Sequence, residues 1–276
     1  MKRKTIQDIQ SFKNSKAPFA MLTAYDYSSA RLVDDAGIPL ILVGDSAAMV
    51  MLGYDTTLPI TMLEMMVFVK AVVRGSRGSM VIADMPFMSY QSSVQLALEN
   101  AGKFLKECGA QAVKLEGGGR VLNQITAMVK AGIPVMGHIG LTPQSFHQLS
   151  GFKIQGNDSK SAQHLIESAL SIEDAGAFSI VLEGIPDNLA KIITKKLNIP
   201  TIGIGAGKYC DGQIQVFHDI LGLDGSFNPR HARKYINLHT EIIDAILKYK
   251  NDVESGKFPA QEHSIQLKDD LLKSFS

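Results

Sequence analysis

Short apolar runs recur along the chain, and each follows a helical segment that ends in glycine or asparagine. In residues 35–45, DAGIPLILVGD, the sequence passes from a helix end through a turn and a proline to an apolar run and a polar residue. Similar units occupy residues 108–116, 131–138, 175–183 and 198–205. Glycine suits the left-handed position after a helix, and proline is tolerated at the start of a strand. Each unit therefore predicts a helix, a turn and a strand buried on both faces.

Eight runs of this kind are predicted to be strands, at about residues 19–24, 39–44, 80–84, 112–116, 133–138, 178–183, 200–204 and 214–218. Helical periodicity marks the segments between most of them, at about residues 27–36, 62–74, 94–108, 122–131, 162–175 and 188–197. Strands that alternate with helices in this number indicate a (β/α)8 TIM barrel, of the α/β class.

A doubly wound open sheet is the alternative fold. The glycine-rich residues 203–207 lack the Gly-x-Gly-x-x-Gly spacing of a dinucleotide site, which favours the barrel. The barrel is expected over about residues 18–230, followed by a C-terminal helical extension over about 231–276 whose helix is packed to about residue 250. The chain 1–276 is thus interpreted as one TIM-barrel domain.

Composition narrows the class of protein. Lys and Arg total 28 against 27 Asp and Glu in 276 residues, which argues against a nucleic-acid partner. Two cysteines cannot form a disulfide framework or a cysteine-rich metal site. The basic first residues lead into a polar stretch rather than an apolar signal segment, and the longest apolar runs are far shorter than the roughly 20 residues of a membrane span. We therefore expect a cytoplasmic protein with no membrane partner.

Four carboxylates follow four different predicted strands: Asp45, Asp84, Glu116 and Glu183. Functional residues of a parallel barrel lie at these strand ends, although an aspartate taken singly is equally well explained as a helix N-cap. Lys114 and Glu116 are two residues apart, so both face the barrel interior, where a charge needs a partner or a ligand. An internal Lys114–Glu116 ion pair is the structural alternative.

Converging carboxylates repel one another, and a hard divalent cation relieves that repulsion. An all-oxygen ligand set favours Mg²⁺ over Zn²⁺, and the open positions of Mg²⁺ suit a 2-oxo acid, whose enolate it would stabilise. Lys114 would then neutralise substrate charge, and Glu183 would accept a proton. His138, at the end of the fifth strand, and Ser46, directly after Asp45, are each explained equally well by substrate binding and by a structural role.

Eight motifs stand in a defined order along the chain: TAYD at 23–26, VGDS at 43–46, GYDTTLP at 53–59, ADMPF at 83–87, VKLEGG at 113–118, GHIGLTPQ at 137–144, IGIGAG at 202–207 and CDGQ at 210–213. In order and spacing, over about residues 4–264, they resemble the ketopantoate hydroxymethyltransferase family. The resemblance implies a TIM-barrel transferase of pantothenate and coenzyme A biosynthesis. Such an enzyme moves a hydroxymethyl group from 5,10-methylenetetrahydrofolate to 3-methyl-2-oxobutanoate and gives 2-dehydropantoate.

The resemblance also implies roles for single residues, a cofactor and an assembly. One Mg²⁺ per subunit is expected, with a 2-oxo acid beside it and folate as co-substrate, in a cytoplasmic homo-oligomer that is expected to be a decamer. The implied positions are Asp45, Asp84 and Glu116 for the metal, Asp45, Ser46, Asp84 and Lys114 for the 2-oxo acid with His138 close by, and Glu183 for the proton acceptor.

Two departures from the family pattern are visible. Ala47-Ala48 stands where the family commonly has Leu-Gly, and Ser150 stands where a glycine is usual. Neither is a metal or base position, so we expect them to change kinetics rather than the type of reaction. The folate contacts have no local motif.

Two other functions stay open on the sequence. A Mg²⁺-dependent 2-oxo acid lyase or mutase of the phosphoenolpyruvate mutase and isocitrate lyase type would use a similar barrel without folate, but the nucleophilic-cysteine loop of those enzymes is not recognisable here. A non-catalytic, metabolite-binding barrel is the other possibility. Neutral residues in place of Asp84, Glu116 or Glu183 would have favoured it.

Overall fold

The computed structural model describes residues 2–15, 17–149, 151, 153–224, 231–272 and 275. Eight parallel strands pair in chain order, and the first also pairs with the last, so the sheet closes into a barrel. The strands are β1 Phe19–Thr23, β2 Leu40–Val43, β3 Met80–Asp84, β4 Ala112–Glu116, β5 Val135–Gly140, β6 Ser179–Glu183, β7 Thr201–Ile204 and β8 Gly212–Gln215. The predicted (β/α)8 TIM barrel is confirmed.

Helices connect most of the strands, and each of the six helical segments predicted between strands lies within three residues of the bounds of an observed helix. They are α1 Ile6–Gln10, α2 Tyr27–Asp35, α3 Ala47–Val50, α4 Met62–Gly75, α5 Val94–Lys106, α6 Leu122–Lys130, α7 Phe146–Leu149, α8 Ser159–Asp174, α9 Asp187–Lys196, α10 Phe217–Leu221, α11 Leu238–Glu254 and α12 Asp269–Leu272. Four 3₁₀ segments lie at Ser11–Asn14, Gly118–Val121, Pro143–Ser145 and Gln261–His263.

Two boundaries differ from the sequence prediction for identifiable reasons. Helix α8 begins earlier than expected because the Asp158 carboxylate accepts hydrogen bonds from the backbone N–H groups of Lys160 and Ser161 and caps it. Strand β8 covers Gly212–Gln215 rather than 214–218, because Gly212 pairs with Phe19 of β1. The N–H of Phe217 then bonds Thr23 Oγ1, and α10 begins there.

Alternation along the strands fills the barrel interior with apolar side chains and leaves polar ones at the strand ends. The buried interior cluster contains Phe19, Met21, Leu40, Leu42, Met80, Ile82, Ala112, Met136, Val181, Ile202 and Ile214. Ile9 of α1 joins the same cluster and closes the barrel at the strand starts. On β3 to β6, the residue two positions after the last interior apolar residue is polar. These residues are Asp84, Lys114, His138 and Glu183. The polar layer therefore rests on a closed apolar base.

The described chain divides into two compact units. One comprises the described residues up to 217 with 231–232 and contains the barrel; the other comprises 218–224 and the described residues from 233 onward. In the second unit, no residue of α11 is buried, and Ile242, Ile246 and Leu247 are each more than 40% exposed. Within this unit the ring of Tyr249 on α11 contacts the ring of Phe258, and the predicted packing of the helix to about residue 250 stays a prediction. The assignment of residues 1–276 to one domain stays a prediction.

Among the described residues, none of the helices combines the length and apolar character needed to span a bilayer. Cys108 and Cys210 are both buried and free.

Candidate active site

Five polar side chains that the sequence singles out are buried together at the carboxyl ends of β2 to β5. Asp45, Asp84, Lys114, Glu116 and His138 are each at most 4% exposed. Asp45 follows β2 in a turn, and its N–H donates to Asp84 Oδ2 over 3.3 Å. The remaining four stand on strands whose alternation aims them inward. Neither aspartate caps a helix, so the N-cap alternative does not apply to them.

Lys114 pairs chiefly with Asp84. Its Nζ lies 2.7 and 2.8 Å from the two Asp84 carboxylate oxygens and 3.5 Å from Glu116 Oε1. Burial lowers the pKa of Lys114, but the charges of Asp84 and Glu116 outweigh it and raise the pKa above its ordinary value. The lysine is therefore a fixed positive charge, shared between two carboxylates rather than paired with Glu116 alone.

The carboxylates outnumber the bases that neutralise them. Burial, followed by the charges of Asp84 and Glu116, holds the pKa of Asp45 well above its usual range. Burial also raises the pKa of Asp84, although Lys114 opposes it. The pKa of Glu116 is lowered in spite of burial, because Lys114 and His138 stabilise its charge. The site therefore holds several carboxylates close together, and their mutual repulsion opposes the ionisation of Asp45 and Asp84.

His138 bridges two carboxylates from the neighbouring strands. Its Nδ1 lies 3.3 Å from Glu116 Oε1, and its Nε2 lies 3.3 Å from Glu183 Oε2. These are ion-pair distances without the alignment of hydrogen bonds. Burial opposes protonation, but the charge of Glu116 prevails and raises the pKa of His138 to about 9. His138 is therefore a cation between Glu116 and the less buried Glu183, whose side chain is 18% exposed.

Ser46 stands at the rim of the site. Its Oγ lies 2.8 Å from Tyr25 Oη, and its side chain does not cap α3, the helix that it precedes. Ala47 and Ala48, the first departure from the family pattern, are fully buried at the start of α3. The second departure, Ser150, lies outside the described residues.

Two residues that the sequence analysis did not single out also belong to the site. The Gln144 amide donates to Asp45 Oδ2 over 2.9 Å, and its backbone N–H donates to Glu116 Oε2 over 3.1 Å. Tyr90 Oη lies 2.8 Å from Gln144 Oε1 and is fully buried. Gln144 lies beyond the end of β5 in a motif of the sequence, and that position is its only signal.

A cavity of about 460 Å³ adjoins this cluster at Glu116 and Gln144. Its other walls include Phe87, Gln91 and Arg120. Small-molecule sites commonly enclose about 300–1,000 Å³. The cavity therefore offers room for an organic ligand beside the buried charges.

The donor set has the chemistry of a hard-cation site, since it consists of carboxylate oxygens whose mutual repulsion a cation would offset. As the side chains stand, the described residues include no group of three or more His, Cys, Asp and Glu arranged to hold a metal ion. Lys114 engages both oxygens of Asp84, and Gln144 engages Asp45. The predicted metal ligands are thus neighbours in the site, and their ligand role stays a prediction.

A TIM barrel with buried acids, a lysine and a histidine at its strand ends has the features of a barrel enzyme, since the active sites of such enzymes lie at that face. The sequence pattern described as Ketopantoate hydroxymethyltransferase matches residues 3–261. The chain belongs to the ketopantoate hydroxymethyltransferase family.

Curated relatives agree with this assignment over nearly their full length. A 3-methyl-2-oxobutanoate hydroxymethyltransferase of Clostridium botulinum (strain Langeland / NCTC 10281 / Type F) is 53% identical over 98% of each chain. The enzyme of the same name from Carboxydothermus hydrogenoformans is 53% identical over 99% of each chain. The one from Dehalococcoides mccartyi (strain ATCC BAA-2266 / KCTC 15142 / 195) is 54% identical over 98% of this chain and 96% of the relative.

Two of the solved structures with a similar fold carry the names of other enzymes. A 2,3-dimethylmalate lyase of the phosphoenolpyruvate mutase and isocitrate lyase superfamily has a TM-score of 0.58 at 16% identity, covering 98% of this chain and 93% of that one. A phosphonopyruvate hydrolase solved with oxalate and Mg²⁺ has a TM-score of 0.60 at 13% identity, covering 94% and 92%. At these identities the likeness is one of fold.

Proposed function

We propose that this protein transfers a hydroxymethyl group from 5,10-methylenetetrahydrofolate to 3-methyl-2-oxobutanoate and forms 2-dehydropantoate, a step of pantothenate and coenzyme A biosynthesis. The observation that carries the proposal is the buried cluster at the strand ends, in which Lys114 and His138 lie among four carboxylates. Membership of the family and the names of its relatives support the same reaction.

Asp45, Asp84 and Glu116 are proposed to hold one Mg²⁺ per subunit. Oxygen ligands fit this hard ion, and the pKa values of Asp45 and Asp84, raised by burial, indicate carboxylates that an added positive charge would stabilise. When bound, the ion supplies Lewis acidity toward the carbonyl oxygen of a 2-oxo acid. A distant fold relative was solved with Mg²⁺ and oxalate, which makes this pair of ligands a suitable probe.

The 2-oxo acid is proposed to lie against Ser46, Lys114 and His138, beside Asp45 and Asp84. Lys114 and His138 carry positive charge in a buried site, so they attract an anionic substrate and the negative charge that develops on its carbonyl oxygen. Ser46 offers a hydroxyl at the rim. These contacts hold C3 of the substrate toward the open side of the site.

Glu183 is proposed to accept the C3 proton. Its carboxylate is the more exposed of the two that flank His138, so a substrate carbon can reach it. The C3 electron pair then forms a bond to the methylene carbon of the folate. The two C–N bonds of that carbon are replaced by this C–C bond and by a C–O bond. Water supplies the hydroxyl oxygen, and the C3 proton and one proton of water finish on the two nitrogens of tetrahydrofolate. The cavity of about 460 Å³ beside Glu116 supports a second organic substrate.

The test is an assay of the purified protein with 3-methyl-2-oxobutanoate, Mg²⁺ and 5,10-methylenetetrahydrofolate, with 2-dehydropantoate as the measured product. Omission of the folate or chelation of the divalent ion should abolish product. Conversion of a 2-oxo acid without folate would favour a lyase or mutase instead. Binding of the 2-oxo acid with no turnover in the complete mixture would favour a non-catalytic barrel.

We propose further that the protein works in the cytoplasm as a homo-oligomer, with ten copies of the 30.0 kDa chain expected. Family resemblance and the exposed apolar side chains of α11 support self-association. Light scattering coupled to size exclusion measures the mass directly. A monomer at micromolar concentration would contradict this part of the proposal.

A further inference from the structure

The side chain of Gln144 has all its hydrogen-bonding positions filled. Its Nε2 donates to Asp45 Oδ2 and to the backbone oxygen of Met85, each over 2.9 Å. Its Oε1 accepts from Tyr90 Oη over 2.8 Å and from Gln91 Nε2 over 3.0 Å. A carboxamide has two donor hydrogens and two acceptor lone pairs, so this side chain has one orientation that satisfies every partner.

Gln144 also joins separate parts of the site. Its backbone N–H donates to Glu116 Oε2 over 3.1 Å, while its side chain reaches Asp45, which is 99 residues away in sequence. The bond to Met85 O anchors the same amide directly after β3. One residue therefore fixes the carboxylates after β2 and on β4 relative to the end of β3.

Tyr90 fixes the orientation of the Gln144 amide by bonding its oxygen. Its hydroxyl is fully buried and donates to Gln144 Oε1 over 2.8 Å. The hydroxyl lies 3.0 Å from Glu116 O, and it accepts from the Glu116 N–H over 3.1 Å. Tyr90 is thus tied to the backbone of β4 and to Gln144 together.

We propose that Gln144 is a positioning residue, which sets the geometry of Asp45 and Glu116 for the divalent cation and the 2-oxo acid. This inference rests on the proposed function. A donor amide against Asp45 orients its free oxygen and disperses part of its charge. Groups that orient metal-binding carboxylates typically change metal affinity or activity by about 10- to 100-fold when replaced.

The test is Gln144→Glu, which preserves size and shape but replaces the donor NH₂ by an oxygen facing Asp45 and Met85 O. Calorimetry measures the affinity for 3-methyl-2-oxobutanoate in saturating Mg²⁺ and for Mg²⁺ alone, without folate. We expect both affinities to fall at least about 10-fold. Gln144→Met, of similar size and uncharged, should show the same loss, and it replaces the first variant if that one does not fold.

Gln124→Glu is the matched control. Gln124 is a buried glutamine whose side chain donates to Tyr90 O over 3.3 Å rather than to a carboxylate. Thermal unfolding should show some loss of stability in both variants, whereas only the Gln144 variants should lose affinity. The inference is overturned if folded Gln144 variants bind within twofold of the unaltered protein, or if Gln124→Glu loses as much. Failure of the unaltered protein to bind the 2-oxo acid would instead overturn the proposed function, and this inference with it.

Discussion

Acidic side chains meet a lysine at both ends of the barrel, but the two ends neutralise them differently. At the strand starts, Asp211 Oδ2 accepts from Lys13 Nζ over 3.0 Å and from the N–H and hydroxyl of Thr201 over 2.8 and 3.0 Å. Asp211 is thus paired with one lysine and accepts two further hydrogen bonds from Thr201. At the strand ends, Lys114 is shared between Asp84 and Glu116 while Asp45 stands beside them.

The difference separates stability from function. The Asp34 carboxylate, also on the side of the strand starts, accepts from the N–H groups of residues 77, 78 and 79 and needs nothing more. Such satisfied groups fix the chain leading into a strand. The surplus charge at the strand ends has no equivalent compensation, so it is available to bind ions and move protons.

The largest expected effect follows from removing Glu183, the proposed proton acceptor. Glu183→Gln should slow isotope exchange at C3 of 3-methyl-2-oxobutanoate by about 10²- to 10⁴-fold, because a general base typically contributes that much. Affinity for the 2-oxo acid should change little. NMR in D₂O follows the exchange.

The control for Glu183→Gln is a glutamate at the strand starts. Glu173 accepts from the N–H groups of Asn198 and Ile199 ahead of β7, and Glu173→Gln should weaken folding while leaving exchange intact. Exchange at the normal rate in Glu183→Gln would refute the assignment of the base.

Loss of the lysine should affect folding more at the strand ends than at the strand starts. Lys114→Met leaves buried carboxylates without their principal counter-charge and should lower the free energy of unfolding by about 3–5 kcal/mol in metal-free protein. Lys13→Met should lower it by less than half as much, because Asp211 keeps its two bonds from Thr201. Urea unfolding measures both. Equal losses would show that the two ends are electrostatically alike.

His138 predicts a pH dependence in the neutral to alkaline range. Its pKa is raised to about 9 in the folded protein, so its stabilising contribution is complete below about pH 6.5 and is lost as the pH rises through 9. Between pH 6.5 and 9, loss of this contribution should reduce the free energy of unfolding by up to about 1.4 kcal/mol per pH unit. Urea unfolding of metal-free protein from pH 6 to 10 should show this slope, and His138→Gln should remove it. Replacement of the exposed His164 by Gln should leave it unchanged.

The smallest effect is expected at Asp34. Burial opposes ionisation there, but hydrogen bonds from residues 77–79 outweigh it and lower the pKa of Asp34. Its stabilising contribution is therefore present above about pH 4 and is lost as the pH falls further. Asp34→Asn should cost about 1 kcal/mol at pH 7, and the difference from the unaltered protein should shrink by pH 3. A change in turnover at pH 7 would mean that the strand starts influence the chemistry.

Local pattern was enough to predict the barrel and much of the polar layer. The two-residue step from Lys114 to Glu116 placed both inside, and the structure confirms that both are buried there. The last strand is harder to predict, because Gly212 and Gln213 carry no apolar signal and form a strand by pairing with both β1 and β7.

Contacts across the site depend on strand register, which periodicity does not encode. His138 lies opposite Glu116 in the pairing of β4 with β5, and Glu183 lies opposite Gly140 in the pairing of β5 with β6. The histidine bridge arises from these two registers together. The bond from Gln144 to Asp45 likewise joins the segment after β5 to the turn after β2, with β3 and β4 between them in the sheet.

The closed apolar base of the barrel has a consequence for the sequence of events during turnover. In the described part of the chain, Ile9 and the interior cluster fill the barrel at the strand starts, so ligands would approach the polar layer from the strand ends. The buried carboxylates lie deeper than the neighbouring cavity residues such as Phe87, which is 40% exposed. A small acid bound at the carboxylates would therefore be covered by a larger partner in that cavity. For the proposed transfer, this depth predicts an ordered mechanism in which the 2-oxo acid binds before the folate.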